Sequence, residues 1–91
     1  MITVKFFTTL RILLKLAELQ FNLSDSTIGE ILSLCEKRTP VPFLHKLIEN
    51  SSIIPGTIIL VNGHNILHLK GLETKVNDGD QIALFPPGGG G

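Results

Sequence analysis

The residues with the clearest chemical use stand at the end of the chain. The sequence closes Phe85-Pro86-Pro87-Gly88-Gly89-Gly90-Gly91. Two prolines fix φ and favour an extended exit from the element before them. Four residues without Cβ then allow nearly any backbone path at minimal width. Such a segment can slide through a channel too narrow for side chains, with the unhindered carboxylate of Gly91 at its tip. A carboxylate is a poor electrophile. Joining it to AMP supplies a good leaving group, and a sulfur or nitrogen nucleophile can then attack. No residue near the tail has a type that performs this step. The reading is therefore a carrier: a partner enzyme spends ATP on Gly91, and the chain itself binds no cofactor. A merely solvated tail is the alternative that composition leaves open.

Other chemistry-bearing residues are weaker candidates. Cys35 falls among Ile31 and Leu32 at helical spacing, which suits a small buried hydrophobe better than a reactive thiol. His64 and His68 are four apart, but in a turn and strand pattern with no third ligand near, so no metal is assigned. Asn77, Asp78 and Asp80 lack the calcium-loop spacing and read as a turn, with Gly79 at positive φ. Phe85 is either core or an exposed anchor for a partner.

The positioning elements follow from periodicity. Ile2, Val4 and Phe6 alternate with Thr3 and Lys5, as in a half-buried strand. Leu19, Phe21 and Leu23 repeat the pattern. The two segments form a hairpin across a long turn at Thr8–Ala17. Thr27 and Glu30 have capping-box spacing. Ile28, Ile31, Leu32 and Cys35 give the following helix one apolar face, and Pro40 and Pro42 stop it. Phe43–Ser51 has a weaker helical pattern. Pro55-Gly56 is a turn, Thr57–Val61 an interior strand and Asn62-Gly63 a tight turn. A short strand near Ile66–Leu69 and a last strand at Gln81–Phe85 complete the chain. The expected fold is α+β: a β-grasp, or ubiquitin-like, mixed sheet of about five strands. One main helix packs on one face, and a second helix is short. The domain is 1–87, and 88–91 is a flexible glycine tail.

Bulk properties exclude several classes. The chain has 91 residues, 43% apolar and 18% charged, enough for one folded domain. Eight basic residues balance eight acidic ones, and the five aromatics are all Phe. No field or stacking platform favours nucleic acid. The apolar stretch Leu10–Leu19 is broken by Arg11, Lys15 and Glu18 and is too short to span a bilayer, so no membrane partner is expected. One cysteine allows no internal disulfide. A cytoplasmic location is the expectation.

The sequence also resembles the small sulfur carriers of the MoaD/ThiS type, over nearly its whole length. Three pieces carry the resemblance: Val4-Lys5-Phe6-Phe7-Thr8-Thr9-Leu10-Arg11, Thr27-Ile28-Gly29-Glu30-Ile31-Leu32, and Asp78-Gly79-Asp80-Gln81-Ile82-Ala83-Leu84-Phe85-Pro86-Pro87 ending in Gly90-Gly91. The Phe-Pro-Pro then Gly-Gly ending points toward the small subunit of molybdopterin synthase. The resemblance implies that an adenylating, E1-like enzyme activates Gly91 with ATP and that persulfide sulfur replaces AMP to leave a thiocarboxylate. A large synthase subunit then takes the sulfur for the molybdenum or tungsten cofactor. Related roles are sulfur supply to thiamine or another metabolite, and protein modification. Phe85, Pro86, Pro87, Gly88, Gly89 and Gly90 become partner-binding residues, and Arg11 a partner contact or stabilising pair. Gly88 and Gly89 depart from the family, which usually has other residues there. Ile12-Leu13-Leu14 is more apolar than the family pattern and is either core or docking surface.

Overall fold

Alternation at the start of the chain builds β1, Ile2–Phe6, with Ile2, Val4 and Phe6 buried. The structure is a computed structural model and describes residues 1–88. The calls on Gly89, Gly90 and Gly91 lie outside the described residues. After β1 come α1 (Thr8–Leu14), β2 (Glu18–Phe21), β3 (Ser26–Thr27) and α2 (Ile28–Arg38). Then follow β4 (Ile48–Glu49), β5 (Ser52–Ile53), β6 (Ile58–Val61), β7 (His64–Asn65), β8 (Lys75–Val76) and β9 (Gln81–Phe85).

The main sheet runs β2-β1-β9-β6-β7. β1 and β9 are parallel, from Thr3↔Gln81 to Phe6↔Leu84, and the other neighbours are antiparallel. Parallel neighbours require a long crossover between them. The centre of that crossover is α2, which supplies Ile28, Ile31, Leu32 and Cys35 to one core with Val4, Phe6, Ile82 and Leu84. Its start is fixed by the expected capping box: Glu30 N–H donates to Thr27 Oγ1 at 3.2 Å, and Thr27 N–H to Glu30 Oε1 at 2.8 Å. At its end Arg38 donates to the Gln20 carbonyl at 2.8 Å and lies 4.7 Å from the Phe21 ring centre, tying the helix to β2. The mixed five-strand sheet with two helices agrees with the expected β-grasp plan.

Three local expectations need correction. The link from β1 to β2 is not a turn but α1, which is the short second helix. It buries Leu10 and Leu14 and leaves Ile12 76% exposed. Leu14 is thus core, while Ile12 and Leu13 stay at the surface. Phe43–Ser51 forms only a 3₁₀ turn at Leu44–Lys46 before β4. The helix cannot continue because Asn50 and Ser51 both take positive φ, 51° and 63°. They form the two-residue loop of the β4–β5 hairpin, where Glu49 pairs with Ser52. The strand expected near Ile66–Leu69 is likewise a 3₁₀ turn, at Ile66–His68 with Leu69 as its C-cap. Asn65 ends β7 and its side chain accepts from Leu67 N–H at 2.9 Å, which starts the turn.

The burial of α1 sets a test. Leu14→Ala is expected to lower unfolding free energy by about 3 kcal/mol, and Ile12→Ala to change it by no more than about 0.5 kcal/mol. Urea unfolding of both variants measures this. Equal losses would contradict the orientation of α1.

Candidate functional site

The tail root is built by β9. This strand lies between β1 and β6, so it is hydrogen-bonded along both edges. Its inward residues Ile82 and Leu84 are fully buried, while Gln81, Ala83 and Phe85 point to the other face. Phe85 is therefore not core. It is half-buried, and its ring stacks on Phe7 at 4.5 Å between centres and 9° between planes. Phe7 is held there because its N–H donates to the Leu84 carbonyl at 3.1 Å, one step beyond β1.

Pro86 and Pro87 follow, both half-buried. Neither has an N–H, so the sheet ladder cannot extend along them. Gly88 is exposed and takes φ +64°, the left-handed region. The chain therefore bends after the prolines instead of running on straight. Glycine at this position accommodates that bend without strain from a Cβ.

Beside the Phe7–Phe85 stack, the outer sheet face carries an open groove of about 450 Å³, lined by Lys5, Leu60, Ala83 and Gln81 among others. Ile58, 42% exposed, pairs with Phe85 on this side of the sheet. Apart from Phe85, these groove residues were not singled out as site residues from the sequence. The β1–β9 register brings Phe7 beside Phe85, and the β6–β9 register sets Leu60 opposite Ala83.

The remaining candidates separate from the tail root. Arg11 lies exposed on α1, and among the described residues no ion pair involves it. Thr9, on the same helix, lines a shallow cleft with Lys46, Pro86 and Pro87. Cys35 is enclosed by the core. Burial pushes its thiol up from 9.0 to about 12, against a smaller downward pull from Arg38. His64 sits in β7 and His68 in the 3₁₀ turn, both exposed.

The carboxylates at 77–80 serve the turn. Asp80 accepts from Asn77 N–H at 2.7 Å and from the Asn62 side-chain amide at 3.0 Å. Asp78 accepts from the Met1 amino group, whose hydrogen bond and charge hold its carboxyl below the usual value. Gly79, at φ +94°, donates its N–H to the Met1 carbonyl at 3.0 Å. The turn thus fastens the start of β1 to the start of β9.

A β-grasp sheet whose central last strand leads into a Pro-Pro and glycine ending defines a ubiquitin-like protein. Residues 4–91 match the sequence profile of the ThiS family, and the chain belongs to that family. Small archaeal modifier protein 3 of Haloferax volcanii is 32% identical over 89 residues, covering 97% of this chain and 96% of that protein. The solution structure of small archaeal modifier protein 1 from Methanosarcina acetivorans aligns with a TM-score of 0.81 and 32% identity. It covers 99% of this chain and 95% of its own. The crystal structure of the Amycolatopsis orientalis BexX/CysO complex holds a chain that aligns with a TM-score of 0.84 and 25% identity, over 100% of both chains. The molecule is thus of the class of ubiquitin-like sulfur carriers and modifiers. Among the described residues no helix is long and apolar enough to cross a membrane.

Two outcomes follow from the site. A double-mutant cycle on Phe7→Ala and Phe85→Ala is expected to give a coupling of about 1 kcal/mol. A coupling near zero would mean that the stack contributes nothing beyond separate burial. For Cys35, the folded thiol binds its proton more tightly than the unfolded one, so stability is retained below pH 9.0 and falls as pH rises from 9.0 toward about 12. The stability advantage of the native chain over Cys35→Ala is expected to shrink across that window in urea titrations. A constant difference would contradict the burial of the thiol.

Proposed function

We propose that this chain is a sulfur carrier whose Gly91 carboxylate is the group that reacts. The observation that carries the reading is the placement of β9. A strand bonded on both edges leads, through two residues that cannot join the ladder, into a glycine ending of minimal width. The rigid part and the part that must enter another protein meet at Pro86. Attack of the carboxylate on the α-phosphorus of ATP releases pyrophosphate and leaves an acyl-AMP at Gly91. A persulfide sulfur on the partner then displaces AMP to give an acyl disulfide, and a second partner thiol attacks the donor's own sulfur, which frees the thiocarboxylate and leaves a disulfide on the partner. The partner binds ATP and performs these steps. This chain contributes orientation and a surface, and fixed geometry of that kind lowers the barrier to the partner's chemistry.

The Phe7–Phe85 stack and its groove suit the docking surface for the adenylating enzyme, since rigid aromatics beside a threaded tail make effective anchors. Phe85-Pro86-Pro87 before the glycines favours the large molybdopterin synthase subunit as sulfur acceptor. A second reading is favoured by the relative named a small archaeal modifier protein. In that reading the activated Gly91 carbonyl joins the side-chain amine of a lysine on another protein.

Incubation with an adenylating enzyme, ATP and a persulfide source is expected to exchange one oxygen for sulfur in the intact mass. Deletion of Gly90 and Gly91 is expected to abolish the exchange. Adding a large synthase subunit with its pterin precursor is expected to restore the carboxylate mass. An unchanged mass, under conditions that charge a known carrier, contradicts the proposal. Isopeptide remnants of the Gly91 end on lysines, without thiocarboxylate, favour the modifier reading.

A further inference from the structure

The sequence placed a turn at Pro55-Gly56 without giving it a task. In the structure this turn lies against the root of the tail. β6 pairs with β9 so that Ile58 faces Phe85 and Ile59 faces Leu84. Continuing that antiparallel register by two steps sets Gly56 opposite Pro87. The contact is present: a Cβ built on Gly56 would lie 3.1 Å from Pro87 Cβ, 3.5 Å from Pro87 Cα and 3.8 Å from Gly88 N. Ordinary cross-strand side chains keep their Cβ atoms roughly 4.5–5.5 Å apart. Pro87 therefore approaches the 54–57 turn so closely that a side chain at Gly56 would have to push it back by a few tenths of an ångström.

The turn itself is held firmly. Thr57 N–H donates to the Ile54 carbonyl at 3.0 Å and closes it, and Ile54 N–H donates to the Leu47 carbonyl at 2.8 Å. Pro55 presets one φ, and Gly56 sits at φ +93°, the Pro-Gly order of a type II turn. The tail root, by contrast, has no N–H at Pro86 or Pro87 to donate to the ladder. Packing must replace hydrogen bonding as the source of direction. Beside Thr9 and Lys46 the root also borders a cleft of about 230 Å³, which leaves the prolines room to shift.

We propose that Gly56 is a positioning residue for the tail: its bare Cα receives Pro87 and fixes the angle at which the chain leaves the sheet. The proposal rests on the carrier reading above, because only an end that must enter a partner needs a fixed angle. A side chain at Gly56 shifts Pro87 and changes the angle at which Gly88 follows it. The turn also incurs strain at positive φ, but that strain acts on stability and not on direction.

The test separates the two effects. Gly56→Ala, Pro87→Gly and the double variant are compared for melting temperature and for adenylation, followed as pyrophosphate release with the same adenylating enzyme. Gly56→Ala is expected to lower kcat/KM about tenfold, an effect of the size that small misplacement produces. In the Pro87→Gly background, where the opposing Cβ is gone, the same change is expected to alter kcat/KM by less than about twofold. The melting-temperature loss is expected in both backgrounds, since the strained φ is unchanged. An undiminished kcat/KM for Gly56→Ala, or a loss of equal size in both backgrounds, overturns the proposal. If the native chain is not charged at all, the carrier reading fails and NMR decides the positioning role alone. A Gly56 Hα to Pro87 Hβ Overhauser effect, with a Gly88 amide shift that moves in Gly56→Ala, supports it. Their absence overturns it.

Discussion

The parallel pairing of β1 with β9 is the constraint on which the structure depends. It places the first and last strands of the domain side by side at the centre of the sheet. Everything between them must leave one end of the sheet and return to the other, and α2 is the body of that excursion. The pairing also buries both strands on one face, so Val4, Phe6, Ile82 and Leu84 meet the helix as one core. On the other face it puts Phe7 against Phe85. The core and the Phe7–Phe85 stack are two consequences of one register.

Much of this frame was legible in the residues. The alternation at Ile2–Phe6, the capping box at Thr27 and Glu30, and the apolar face of α2 each follow from local chemistry, and each is present as read. Asn62-Gly63 joins β6 to β7 with both residues at positive φ, as its composition requires. α1 escaped because neither of its ends is marked in the usual way. Phe7 stands at its N-cap without a capping side chain, and Lys15 takes the left-handed C-cap position where glycine is common. Asn50-Ser51 is similarly hard to recognise. Two non-glycine residues at positive φ give a weaker signal than Asn-Gly, so the helical spacing of Phe43, Leu44, Leu47 and Ile48 prevailed in the sequence reading.

The site was legible along the chain but not across it. Phe85-Pro86-Pro87 and the glycines form one contiguous signal, and the sequence suffices to single them out. Phe7, Leu60 and Gly56 join them only through strand register, which depends on packing among distant residues. The residues left Phe85 open between core and partner anchor, and only the folded strand puts it on the face opposite Ile82 and Leu84, against Phe7. Cys35 shows the opposite case. Its helical spacing alone put it in the core, and desolvation there pushes its thiol pKa up.

The same parallel register has a mechanical meaning. A partner that grips the tail pulls on β9 along its own axis, away from the end where β1 begins. The hydrogen bonds to β1 and β6 lie across that pull, so they bear it in shear, all at once, instead of opening one after another like a zipper. A load applied at Pro86 thus meets the whole ladder together, and the fold behind it resists as one body.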